Sequence, residues 1–223
     1  MNSASRTIDT PTTLLEPDTG DPLRRRPGRP AGRGDTRGLL IDAALVLFAQ
    51  QGIATTTLRM IATEVGVTPA MAHYHFKGRE QLIDALVAER LVPVSLRIDE
   101  VLVADDVAPL VFVSRLIHRL LEIVAECPWW APLWVREILS EGGLLTERVH
   151  ARLGEAGRQK WAKRVAEWQR QGLMNKDVEP DLVFVSIMGL TLLPLAGTLN
   201  RSNLASSDLL AKHVLTILGR GLF

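Results

Sequence analysis

With 223 residues, 47% hydrophobic and 23% charged, the chain can bury a substantial core, which excludes disorder over most of its length. The net charge of +1 hides an uneven distribution: Arg24, Arg25, Arg26, Arg29, Arg33 and Arg37 crowd into one short stretch behind a polar segment, residues 1–23. The lone Cys127 cannot close an internal disulfide, which fits a reducing cytoplasm, and residues 1–23 lack the basic start and apolar run of a secretory signal.

Residues 1–34 read as a basic arm, because the prolines and glycines of RRRPGRPAGRG prevent helix and strand alike. An extended basic strand can enter a narrow A·T-rich minor groove, where negative potential attracts guanidinium groups. Gly28-Arg29-Pro30 looks like an AT-hook, and Arg29 and Arg33 are its candidate contacts. A solvated tail that adds only general phosphate attraction accounts for the same residues.

Residues 35–95 are expected to form a compact unit. Leu39, Leu40, Ala43, Ala44, Leu47 and Phe48 recur at three- and four-residue spacing, one stripe of a helix that stops at Gly52. Thr56 and Thr57 offer N-capping hydroxyls to a second helix, LRMIATEV, with Leu58, Ile61, Ala62 and Val65 facing inward. Gly66 ends that helix in the left-handed conformation that lets the chain turn sharply. Thr68 caps a third helix and Pro69 occupies its first turn; small Ala62 and Ala70 would let the two helices approach closely.

The third helix, Pro69 to Phe76, is too short for a core element, yet it carries Met71, His73, Tyr74 and His75. It suits a major groove about 12 Å wide, where hydroxyls and imidazoles reach phosphates and a methionine or alanine touches a thymine methyl. Lys77 and Arg79 follow at the start of a fourth helix, whose exposed N–H groups favour phosphate.

Taken together, the AALVLFAQQGIATTTLRMIATEVGVTPA run, the HYHF segment and the KGREQL start of the next helix resemble the DNA-binding domain of the TetR family of transcriptional regulators, over about Asp35 to Val92. The resemblance implies an all-α protein, with an N-terminal three-helix helix-turn-helix domain and a larger C-terminal helical domain, residues 96–223, for ligand binding and dimerisation. It implies that Arg59 lies on a DNA-facing side of helix two, that Pro69, Ala70, Met71, His73 and Tyr74 lie on the recognition helix, and that Arg79 stands where the family places a phosphate-binding lysine. Thr57, Thr68, His75 and Lys77 complete the candidate DNA-contacting set. Two positions depart from the pattern. His73 replaces the usual tyrosine, with Tyr74 as its substitute, and Ala72 replaces leucine or isoleucine, which suggests looser packing beneath the helix.

Beyond Leu82 the pattern stays helical. Helix four is expected from Arg79 to about Val103, kinked near Pro93, whose ring removes a hydrogen bond and collides with the Glu89 carbonyl. Leu110, Val113, Ile117, Leu120 and Val124 mark helix five. A short helix near Pro128 to Leu139 and a break at Gly142 and Gly143 precede a long helix that stops at Gly172. The last two helices run from Pro180 to about Ala196 and from Ser206 to Leu218.

Those final helices are too apolar for exposure in a monomer. Leu182, Val185, Ile187, Leu190 and Leu193, with Leu209, Leu210, Val214, Ile217 and Leu218, suit a self-complementary four-helix contact. Leu182 to Leu199 reaches the lower limit for a membrane span, but Ser186, Gly189, Thr191, Pro194 and Thr198 favour burial between subunits. A two-fold dimer would read a pseudo-palindromic operator in double-stranded DNA.

All five tryptophans, Trp129, Trp130, Trp134, Trp161 and Trp168, lie in the middle of the chain. Trp130, Trp134, Trp161 and Trp168, with His118, Glu122 and Glu137 for polar contacts, are candidate walls of a small-molecule pocket, alongside Arg136 and His150. Tryptophans at helical spacing also make ordinary core. No P-loop, Gly-x-Ser-x-Gly elbow, His-Glu-x-x-His or dinucleotide glycine pattern appears, and His73 and His75 point to nearly opposite sides of a helix, so neither an enzyme, a cofactor nor a bound metal is expected. The expectation is a ligand-released repressor; a DNA-binding factor with the same head and no small-molecule effector is the alternative.

Overall fold

The computed structural model describes residues 35–102, 107–138, 145–197 and 207–223, all within one compact unit. Arg29, Arg33, the Gly142–Gly143 break and the side chain of His150 lie outside the described residues. Among the described residues every regular element is helical.

Helix α1 (Thr36–Gln51) begins at Asp35, whose carboxylate accepts the Gly38 N–H at 2.9 Å. A Cβ on residue 38 would press on Asp35 Oδ2, so a larger residue there would displace the capping carboxylate. The helix ends at Gly52, at φ +89°. Its buried face is Leu40, Ile41, Ala44, Leu45, Phe48 and Ala49, while Leu39 is exposed, so the stripe is turned from the expected one. The reason is that α1 is packed on several sides: by α2 (Leu58–Val65), α3 (Pro69–His75) and α4 (Arg79–Leu86), and by α7 (Trp130–Leu133) from the larger part of the molecule.

At Pro93 the chain does not break. Val87–Leu91 widens into a π turn, in which the Val92 N–H bonds the Val87 carbonyl five residues back, and α5 (Val92–Leu102) continues the same helical run. The extra residue makes room for the proline ring. The Glu89 carbonyl that the ring leaves unbonded accepts Arg90 Nη1 at 3.2 Å.

The π turn also carries the ion pairs that tie it to α1: Arg37 with Glu89 at 2.6 Å and Arg90 with Asp42 at 2.7 Å. The hydrogen bond from Arg37 holds the Glu89 carboxyl below the usual glutamate range. A lowered folded value means that Glu89 stabilises the fold above its unfolded titration near pH 4.5, and that this is lost as pH falls through the folded value. Both partners are more than a third exposed, so water screens the pair to less than about 1 kcal/mol. Urea unfolding of Glu89→Gln against the parent should show a small deficit at pH 6 that closes towards pH 3; a deficit that persists at pH 3 would show that charge is not its source.

The larger part is built around α6 (Pro109–Glu126), which buries Phe112, Val113, Leu116, Ile117, Leu120, Leu121 and Ile123 against α5, α9 (Pro180–Ala196) and α10 (Ser207–Leu222). Leu110, expected on that face, is exposed. A second π turn, Trp134–Ile138, extends α7, and α8 (Thr146–Arg170) packs along α9 and ends before Gly172, at φ +72°. Helix α10 runs past Gly219, further than its sequence suggests. Asn175 holds its end, with the backbone N–H on the Leu222 carbonyl at 2.7 Å and Nδ2 on the Gly221 carbonyl at 3.0 Å. Among the described residues no helix is long and apolar enough to cross a membrane.

Candidate nucleic-acid interface

Helices α2 and α3 are each fixed by a threonine. Thr57 Oγ1 accepts the Met60 N–H and Thr68 Oγ1 accepts the Met71 N–H, both at 3.2 Å. Thr56, the other candidate cap, is buried instead and donates to the Gly52 carbonyl at 2.8 Å. Gly66 adopts the left-handed conformation at φ +75°, and the Val67 N–H returns to the Ala62 carbonyl at 2.9 Å, which completes the turn.

This geometry sorts the side chains of α3 by face. Ala72 and Phe76 are fully enclosed. Thr68, Pro69, Ala70, Met71, His73, Tyr74 and Lys77 are exposed, and Tyr74 is 82% exposed, with its ring edge-on to His75 at 5.4 Å. Close approach of the helices therefore falls to Ala62 and Ala72, not Ala70. The small side chain of Ala72 is enclosed from solvent. On α2, Thr57, Arg59 and Met60 are exposed beside the same surface.

Arg79 is half-buried, and its Nη1 donates to the Ile53 and Ala54 carbonyls at 3.3 and 3.4 Å, so this guanidinium also braces the corner between α1 and α2. Lys77 remains exposed, and its backbone N–H is capped by Gln81 Oε1 at 2.9 Å.

In the larger part, the ligand candidates divide. Trp161 and Trp168 are buried and meet Phe112 edge-on at 4.9 and 5.2 Å, and Phe184 lies 5.1 Å from Trp161. Arg164 stacks over Phe112 and Trp168 at 5.2 and 5.3 Å. Trp130 is buried and Trp134 half-buried at the α7 end. His118 and Glu122 instead line an open groove of about 370 Å³ on the outer face of α6, with Arg115 and Glu100, away from the tryptophans. Glu137 faces α1, where it accepts the Ile53 N–H at 3.1 Å. Two buried donors of this core, Trp161 Nε1 and Thr191 Oγ1, have no hydrogen-bond partner among the described residues.

Of the expected self-association residues, Leu182, Val185, Leu193 and Ile217 are exposed and Leu190 half-buried. Leu210 and Val214 face inward and are buried in the chain's own core, so they offer no surface to a partner. The two-helix face is narrower than its composition suggests, because α6 already covers one side of α10.

Residues 40–86 match the family model described as bacterial regulatory proteins, tetR family. The HTH-type transcriptional regulator SrpR of Pseudomonas putida is 40% identical over 62 residues, which cover 28% of this chain and 29% of that protein. The HTH-type transcriptional regulator BetI of Brucella anthropi is 39% identical over 71 residues, 32% of this chain and 30% of that protein. Residues 40–86 thus form a TetR-type DNA-binding head.

The matched stretch thus spans about three-tenths of the length of these curated relatives. Two solved structures extend the likeness in fold to the rest of the chain. The ketosteroid transcriptional regulator KstR2 of Mycobacterium tuberculosis gives a TM-score of 0.67 at 22% identity, covering 87% of this chain and 98% of that one. FadR of Bacillus subtilis in complex with stearoyl-CoA gives 0.61 at 18%, covering 84% and 100%.

Sequence reasoning placed Thr191 between subunits, whereas it is buried in the chain's own core, and missed Phe112 and Phe184 as partners of the tryptophans. Thr191 had a signal, a hydroxyl in an otherwise apolar helix. The aromatic partners had none, since a phenylalanine in an apolar stripe looks like any other core residue.

Proposed function

We propose that the chain is a cytoplasmic, non-enzymatic transcriptional regulator, a homodimeric repressor that binds a pseudo-palindromic operator through α3 and is released by a small, largely apolar ligand. The observation that carries the reading is the division of α3. Ala72 and Phe76 anchor it while Met71, His73 and Tyr74 stand out in solvent, a large exposed row on a helix too short to serve as core. Thr57, Arg59, Thr68, Pro69, Ala70, His75 and Lys77 surround it as the proposed contact surface, and Arg29 and Arg33 are proposed to reach the adjacent minor groove. Selection of bound sequences from a random DNA pool tests this. Enrichment of a two-fold sequence with half-sites about one helical turn apart or more supports the dimeric reader, and failure to enrich any sequence refutes it.

Dimerisation is supported by the exposed Leu182, Val185 and Leu193 on α9 and Ile217 on α10. Ligand control is supported by Trp161 Nε1 and Thr191 Oγ1, since an unsatisfied buried donor costs about 1–3 kcal/mol and a ligand acceptor would recover it. The neighbouring rings of Phe112, Trp168 and Phe184 favour an apolar or aromatic ligand with one hydrogen-bonding group. Such a ligand acts by binding better to a state whose two heads are wrongly spaced. In the ligand-free protein, Thr191→Val should raise the unfolding free energy by about 1 kcal/mol, because it removes an unpaired hydroxyl at nearly constant shape. A loss of that size in urea unfolding would reveal a partner for the hydroxyl and remove this support. Thermal shift against a metabolite and drug panel separates the effector-independent alternative: a compound that raises the melting temperature and releases DNA supports sensing.

A further inference from the structure

The corner between α1 and α2 is gripped by the second π turn. Glu137 is 8% exposed, and its Oε1 takes the Ile53 N–H at 3.1 Å. Beside it, Arg136 Nη2 donates to the Gln50 carbonyl at 3.4 Å. Gly52 lies between the two, at φ +89°, and a Cβ there would stand 3.5 Å from both Arg136 Cδ and Glu137 Oε1. From the opposite side Arg79 Nη1 holds the Ile53 carbonyl at 3.3 Å. The two peptide groups that flank the fully buried Ile53 side chain are therefore fixed by opposite charges, the N–H by a carboxylate on the π turn and the C=O by a guanidinium on α4.

A buried carboxylate is a costly way to join two packed surfaces, which an apolar side chain would do without desolvating a charge. What it supplies is one directional contact that is either made or lost. The Glu137 backbone carbonyl in turn accepts Thr146 Oγ1 at 3.0 Å, which ties the π turn to the start of α8. The same turn packs on α8 and α9, the helices that carry Trp161 and Thr191. A rearrangement of that core has a short route to the corner, through the Glu137 and Arg136 side chains.

We propose that Glu137 is a positioning residue whose carboxylate locks the α1–α2 corner to the larger part of the molecule, so that loss of the Ile53 contact releases the reading head. The inference rests on the DNA-reading function proposed above, but its first test needs no DNA. Amide hydrogen exchange on the full chain should show Ile53 strongly protected in the parent, at least about tenfold faster in Glu137→Ala, and within about threefold of the parent in Glu137→Gln, which keeps a carbonyl acceptor in place. With DNA taken from the pool selection, Glu137→Ala should bind about tenfold more weakly at an unchanged salt dependence, because the head must be ordered on binding while every phosphate contact is retained. Rescue by Glu137→Gln distinguishes the hydrogen bond from mere filling of space.

A folded Glu137→Ala with Ile53 as protected as in the parent overturns the lock, and faster exchange with unchanged DNA affinity overturns the positioning role. Should Glu137→Ala fail to fold, the parent decides: an Ile53 amide that exchanges as fast as that of exposed Ala54 refutes the contact. The exchange result stands whether or not the chain selects DNA, so failure of the lock and failure of the DNA-binding reading are separable.

Discussion

Phe76→Ala should lower the unfolding free energy by about 3–5 kcal/mol and remove DNA binding with it. The ring is 1% exposed and lies under the Arg37 guanidinium, 5.3 Å from its centroid. The residue is extended at φ −134°, and its N–H closes α3 on the Ala72 carbonyl at 2.9 Å. A helix of seven residues has no independent stability, so α3 exists because its neighbours hold it. Its anchors are Thr68 at one end, Ala72 in the middle and Phe76 at the other; without the ring, a cavity opens beneath Arg37 of α1. Urea unfolding measures the loss. A cost below about 1 kcal/mol would mean that the ring does not anchor the helix, and the division of α3 into an anchored and a presented face would fail.

Leu193→Asp should convert the proposed dimer into a monomer and weaken binding to the proposed operator by about a hundredfold or more. Leu182, Val185, Gly189 and Leu193 follow one another along α9 at three- and four-residue spacing, and the three large members are 59%, 45% and 52% exposed. A two-fold contact through this stripe would bury two new carboxylates at once, each without a partner, at a cost of several kcal/mol per charge. A monomer also loses the linkage of two half-sites, and with it the gain in effective concentration. The exposure of Leu193 implies that the subunit itself tolerates aspartate, so melting of the isolated chain should change little. Sedimentation equilibrium decides: an aspartate variant that still sediments as a dimer would move the self-contact off this face.

The helices of the head were legible because their signals are local. Thr57, Gly66, Thr68 and Pro69 set caps and turns through their own backbone and hydroxyl chemistry, and the structure uses each as its residue type dictates. The stripe on α1 was legible only in part. Leu39 and Leu40 are equally apolar, and which of them is buried depends on the helices that pack on α1 from elsewhere in the chain. Pro93 shows the same limit, since its ring required a disturbance while the π turn and Arg90 determined how the disturbance was absorbed.

The functional residues divide along the same line. Sequence alone determined that the chain is helical, that its head carries a short outward helix, and that residues 69–77 present the groups suited to a groove, because periodicity, capping and turn chemistry act over a few residues. Tertiary structure alone decided that Arg79 reaches the Ile53 carbonyl, that Glu137 holds the Ile53 N–H, that His118 and Glu122 lie on the outer face of α6, and that Leu210 and Val214 belong to the chain's own core. The physical reason is range. A charged or apolar side chain acquires its partner from whatever packs against it, and that partner comes from distant sequence that no local pattern encodes.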